Sequence, residues 1–116
     1  MSLDDLVLDY LAHLGSERGL SPATISAYRR DLAQYRDFLN GRESDPELVS
    51  AFVARLHERG LARASIARKV AALRGMHRFA AAEGMADTDP SVLVESPGRS
   101  RSLPRASRIL ENSTTQ

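Results

Sequence analysis

The 116-residue sequence contains no cysteine and no tryptophan, and only 5% of it is aromatic. Without cysteine there are no disulfides, no thiolate nucleophile and no cysteine-based metal site. No run approaches the roughly 20 apolar residues that a membrane-spanning helix needs. The opening MSLDDLVLDY is acidic where a signal peptide is basic, so a cytoplasmic protein is expected. Alternating strand patterning is absent as well, which leaves helix as the regular element. What remains, 42% hydrophobic and 27% charged residues, is the composition of one small globular domain.

Net charge is nearly absent too, at +1, but the charges are segregated. Residues 1–17 carry Asp4, Asp5, Asp9 and Glu17 and no Arg or Lys. Residues 59–82 carry Arg59, Arg63, Arg68, Lys69, Arg74 and Arg78 and no acid, and residues 99–108 add Arg99, Arg101, Arg105 and Arg108. Such blocks are basic patches on a nominally neutral protein. All the basic residues except Lys69 are Arg, which suits phosphate or guanine recognition by the planar guanidinium fork. GC-rich coding, which the many alanines also fit, produces the same bias.

Start and stop signals predict four main helices. Ser2 caps the first, with Asp4 and Asp5 at the positive end of its dipole, and Arg18-Gly19 ends it. Ser21 and Pro22 open the second, whose stripe is Ile25, Tyr28, Leu32, Tyr35 and Leu39, and Asn40-Gly41 closes it. The third starts at Asp45-Pro46 and stops before Gly60. The fourth runs from about Arg63 to Glu83, with Ile66, Val70, Leu73, Met76 and Ala80 inward. Asp89-Pro90 predicts a further short helix over Ser91 to Val94. RGLSPATISAYRRDLAQYRDFL (18–39) is echoed by RGLARASIARKVAALRGMHRFA (59–80), by duplication or by coincidence in an Ala/Arg/Leu-rich chain. The expected fold is all-α: two crossed helical hairpins, a short C-terminal helix and a linker. Residues 1–95 form the domain, and 96–116 read as a basic linker with a disordered or foreign tail.

With Ile66 at zero and about 100° per residue, Arg63, Arg74 and Arg78 fall near 60°, 80° and 120°, on one flank with Ala67 and Ala71 between them. The fourth helix has no acid to cancel this charge within itself. On the second helix the signal is weaker, because Asp31 and Asp37 have arginines at helical spacing. A helix with Arg along one flank suits the DNA major groove, with phosphates taking most contacts. A solvated face is the plain alternative. His13, His57 and His77 lack metal-ligand spacing and read as surface or boundary residues. Tyr10, Tyr28 and Tyr35 lie on apolar stripes and read as core. No phosphate loop, nucleophile elbow or carboxylate pair is present, so no catalytic residue, cofactor, metal or small-molecule ligand is expected.

Leu20-Ser21-Pro22-Ala23-Thr24 followed by Tyr28-Arg29-Arg30-Asp31-Leu32 resembles the N-terminal core-binding (SAM-like) domain of Xer-type tyrosine recombinases. Ser65-Ile66-Ala67-Arg68, Ala72-Leu73-Arg74, His77-Arg78-Phe79, Glu83-Gly84 and Asp89-Pro90 follow in the family's order, and Pro97 with Leu103-Pro104 resembles its interdomain linker. Leu73 to Phe79 reads closer to the XerD branch than to XerC. The resemblance covers about residues 3–105. It implies a four-helix domain that clamps a duplex DNA half-site with its second and fourth helices. It implies DNA contacts at Thr24, Tyr28, Arg29 and Arg30 and at Ser65, Arg68, Lys69, Arg74 and Arg78, to which the flank analysis adds Arg63. It also implies contact with other recombinase protomers through the first helix and residues 85–95, in chromosome dimer resolution or DNA integration.

The family's chemistry belongs to a C-terminal domain with an Arg, a Lys, a His-x-x-Arg pair and a nucleophilic Tyr. No His here has Arg three residues later, and residues 106–116 do not resume the pattern. The chain is therefore expected to be an excised or truncated piece without catalysis. A helical protein–protein module and a stand-alone DNA-binding regulator remain alternative readings.

Overall fold

In the computed structural model, which describes residues 2–94, four helices form: α1 (Leu3–Ser16), α2 (Pro22–Leu39), α3 (Pro46–Glu58) and α4 (Arg63–Ala82). Three begin where a side chain satisfies an orphan amide. Ser2 Oγ accepts from the Asp5 N–H at 3.1 Å, Ser21 Oγ from Thr24 at 3.2 Å and Asp45 Oδ1 from Leu48 at 2.7 Å. The fourth has Ala62 at that position and no side-chain cap, so packing holds its first turn. The chain leaves α1 and α3 through Gly19 and Gly60, both left-handed, and each is followed by a partly buried leucine. The internal echo is thus a structural repeat of helix, Gly-Leu turn and longer helix.

The expected stripes make the core. Leu14, Leu32, Leu39, Val49, Leu56, Ile66, Val70, Leu73 and Met76 are all essentially inaccessible. The two long helices, α2 and α4, touch each other and both of the others, whereas α1 and α3 do not meet. A face of α4 is therefore positioned by three neighbours, and its orientation is set by packing.

Two features differ from expectation. Ser91–Val94 is a turn, not a helix: Asp89 Oδ1 accepts from both the Ser91 N–H (2.8 Å) and its hydroxyl (2.6 Å), and this local ring competes with helical bonding. His77, read as a surface or boundary residue, is buried at 6% exposure, while His57 is exposed and His13 partly buried against Phe79. His77 reaches the core because its Nε2 lies 3.0 Å from the Tyr35 hydroxyl, which in turn donates to Ser44 Oγ at 2.9 Å. That arrangement fits a neutral ring with its proton on Nε2. The residues from 95 onward, with the linker and tail expectations, lie outside the described part.

Packing of α1 on α4 depends on Gly75. A Cβ there would overlap the Tyr10 hydroxyl, which lies directly over the helix backbone. Gly75→Ala should lower stability by about 1–3 kcal/mol despite alanine's better helix propensity. Most of that loss should vanish in a Tyr10→Phe background, which urea unfolding of the two single variants and the double variant would measure.

Burial lowers the His77 pKa from its ordinary 6.5, against a smaller opposing pull from Asp89. The unfolded chain then takes up the proton more readily than the folded one. The contribution is whole above pH 6.5 and drains away as pH falls below it. Urea midpoints between about pH 8 and about pH 5 should fall more steeply for the parent than for His77→Gln.

Candidate nucleic-acid interface

Ala67, Ala71 and Gly75 lie along one side of α4, and with Val70 they floor an open cleft of about 420 Å³. Its walls are Arg74 and Arg78 from the same helix, Tyr28 from α2, Tyr10 from the middle of α1 and Arg18 just beyond α1. Arg78 and Arg18 are exposed and Arg74 is half-buried. Among the described residues none of the three makes an ion pair. Small residues between long cations leave room for a backbone or groove edge to approach the helix.

The adjoining part of α4 is organised differently. Asp31 of α2 is buried, and Arg68 grips its carboxylate through Nε (2.7 Å) and Nη2 (2.9 Å) while Lys69 Nζ adds a third bond at 2.8 Å. Burial alone would raise the Asp31 pKa, but the hydrogen bonds and charges of Arg68 and Lys69 outweigh it and hold it below the ordinary 3.8. The acid that offsets part of the α4 charge thus comes from α2, and not through the within-helix spacing that the sequence suggests. Asp37 pairs with its neighbour Arg36 (3.2 Å), and Arg36 also reaches Asp4 of α1 (3.2 Å).

Of the other candidates, Arg29, Arg30 and Arg63 are exposed and Thr24, Tyr28 and Ser65 are partly buried. Thr24 Oγ1 accepts from the capping Ser21 hydroxyl at 3.0 Å, and Arg30 donates to Ser26 at 3.2 Å. Tyr28 lines the cleft from α2. Tyr10 and Arg18 are the cleft residues that sequence reasoning missed. One had been read only as core and the other as a helix stop. The available signal was Gly75, an isolated glycine inside a helical pattern, which often marks a close approach. No group of three or more metal-ligating side chains comes together among the described residues.

Asp31→Asn should destabilise the domain by about 2 kcal/mol at neutral pH, less than for a fully buried pair because Arg68 can turn to water. Because the folded pKa is depressed, that difference should persist above pH 3.8 and shrink as pH falls below it. Denaturant midpoints of parent and variant at the two pH extremes would measure it.

Comparison with known proteins agrees with this helical, basic-faced domain. Residues 7–84 match the model of the phage integrase N-terminal SAM-like domain. The tyrosine recombinase XerC of Roseiflexus castenholzii is 39% identical over 110 residues, which cover 90% of this chain and 35% of that protein. The tyrosine recombinase XerD of Staphylococcus saprophyticus is 36% identical over 115 residues, covering 94% and 39%, and XerD of Staphylococcus aureus is 35% identical over 108 residues, covering 88% and 37%. The chain thus spans less than two-fifths of the length of these relatives, and both branch names occur among them at similar identity. No solved structure matches. With two-thirds of its length inside the family model, the chain belongs to the phage integrase N-terminal SAM-like domain family.

Proposed function

We propose that residues 1–95 are the DNA-binding domain of a site-specific tyrosine recombinase, with residues 96–116 a basic interdomain linker and a disordered or foreign tail. In this reading α2 and α4 face the major groove of a recombination half-site. The observation that carries it is the α4 face on which Arg74 and Arg78 stand over Ala67, Ala71 and Gly75 without an ion-pair partner among the described residues. Phosphate contacts from such cations supply affinity and register, and base edges within reach of Arg29, Arg30 and Ser65 supply the sequence dependence. Arg68 and Lys69 touch DNA only with what their bonds to Asp31 leave over, chiefly the Nη1 of Arg68.

The domain acts in the cytoplasm alongside other protomers in DNA integration or chromosome dimer resolution, and it supplies grip, not strand cleavage. No helix among the described residues is long and apolar enough to cross a membrane. Leu8, Val92 and Leu93 are exposed by more than half, and they supply apolar surface for contact between protomers.

Duplex binding should weaken steeply with salt, each neutralised phosphate adding about −0.9 to the slope of log affinity against log salt concentration. Arg74→Ala and Arg78→Ala should each weaken binding about tenfold while leaving the unfolding midpoint near that of the parent. Fluorescence anisotropy with a labelled duplex would measure this. Parent-like binding by both variants, or no binding at low salt, would overturn the proposal.

A further inference from the structure

The cleft between α1, α2 and α4 holds more than an open helix face needs. Tyr10 is only 4% exposed, yet its hydroxyl lines the cleft, and Gly75 provides the space that lets it lie there. The hydroxyl has no hydrogen-bond partner among the described residues. The oxygen is not among the buried polar atoms left unpartnered, so it opens onto the cleft, where water or a ligand can reach it. Burial and the neighbouring Tyr28 push the Tyr10 pKa up to about 12, against weaker downward pulls from Arg18 and Arg78. At neutral pH the group is therefore a neutral donor beside two cations. Arg74 adds a half-buried guanidinium without an ion-pair partner among the described residues.

No carboxylate lines the cleft; even Glu17, next to Arg18 in the chain, is not among its walls. Three arginines and two tyrosines line it, so what fits is an anion with several acceptor oxygens. A phosphodiester has that shape and charge, and Arg forks match it. The space, about 420 Å³, holds such a group with its hydration.

We infer that this cleft seats one backbone phosphate of bound DNA, with the Tyr10 hydroxyl from the middle of α1 and Arg18 just beyond that helix joining Arg74 and Arg78 of α4 as its ligands. The inference rests on the DNA-binding reading above and extends the interface from two helices to three. It gives α1 a direct contact with DNA in addition to its packing role.

The test uses the whole chain, a short labelled duplex and a salt series. Arg18→Ala should weaken duplex binding about tenfold and flatten the salt slope by about 0.9, the loss of one phosphate contact. Tyr10→Phe keeps the ring in the core and should weaken binding about threefold at an unchanged unfolding midpoint. Arg59→Ala removes the same charge away from the cleft and should leave the slope at the parental value. If the parent binds with a steep salt slope but Arg18→Ala and Tyr10→Phe behave like it, the cleft inference fails and the DNA-binding proposal stands.

Inorganic phosphate separates the two possible sources of the oxyanion. Its titration into the parent, followed by NMR of the arginine side-chain Nε–H groups, should shift Arg18 and Arg74 only weakly, at millimolar concentrations, if the site is built for a phosphate within a duplex. Saturation at micromolar phosphate without duplex binding would overturn both readings in favour of a free-phosphate site. The absence of any shift at those arginines, together with parental salt slopes, would overturn the cleft inference alone.

Discussion

Asp31 places a carboxylate with 1% side-chain exposure between two helices, where only cations from the neighbour can compensate it. The compensation comes from Arg68 and Lys69, which are consecutive on α4 and so leave the helix about 100° apart. Meeting one carboxylate from two consecutive positions restrains the rotation and height of α4 against α2, in addition to the packing of its apolar stripe. Hydrophobic contacts among leucines tolerate some sliding and rotation, whereas three charged hydrogen bonds do not. With that phase fixed, Met76 and His77 point inward and Arg74 and Arg78 border the cleft. The charge cluster contributes to stability, but its larger consequence is to decide which side of α4 remains available for a ligand.

The same cluster changes what the basic block of α4 can do. Read as a string, the block offers an unbroken run of positive charge. In the folded domain Lys69 is largely buried on Asp31 and Arg68 is committed through two of its three nitrogens. The charge that borders the cleft comes from Arg74 and Arg78, with Arg18 joining from just beyond α1. A site made of fewer cations from more elements has a defined shape, while a longer row along one helix would have a stronger but less specific field. On the proposed reading, in which the domain registers on one half-site, positioned contacts matter more than total charge.

The helices were legible because their signals are local. Ser2, Ser21 with Pro22, and Asp45 with Pro46 each act within one turn of chain, and the glycines at 19 and 60 act on their own backbone. The errors arose where a partner lies far away in sequence. His77 was placed at the boundary because its fate depends on a tyrosine 42 residues earlier, and Asp31 was given within-helix partners because its true ones are 37 and 38 residues later. The Ser91–Val94 turn failed for the opposite reason. A two-residue side-chain ring from Asp89 competes with helix formation there, and a capping pattern alone does not distinguish the two outcomes. Tyr10 shows the limit most clearly: its ring obeys the helical stripe, while its hydroxyl belongs to the cleft.

The acidic first helix is a poor element to bring near a phosphate, and its length moves two of the four acids in its segment, Asp4 and Asp5, away from the cleft. Asp4 and Asp5 sit in the first turn, and Asp4 is already paired with Arg36 of α2. Arg18 lies beyond the far end, about 20 Å away at the rise of an α-helix. That exceeds the Debye length of about 10 Å at ordinary salt, so the first-turn carboxylates contribute little at the cleft. Tyr10 is buried about two turns into the same helix, where a neutral donor adds a hydrogen bond without adding charge. The segment thus carries Asp4 and Asp5 in the first turn of α1, Tyr10 packed on Gly75 at its middle and Arg18 just past its other end.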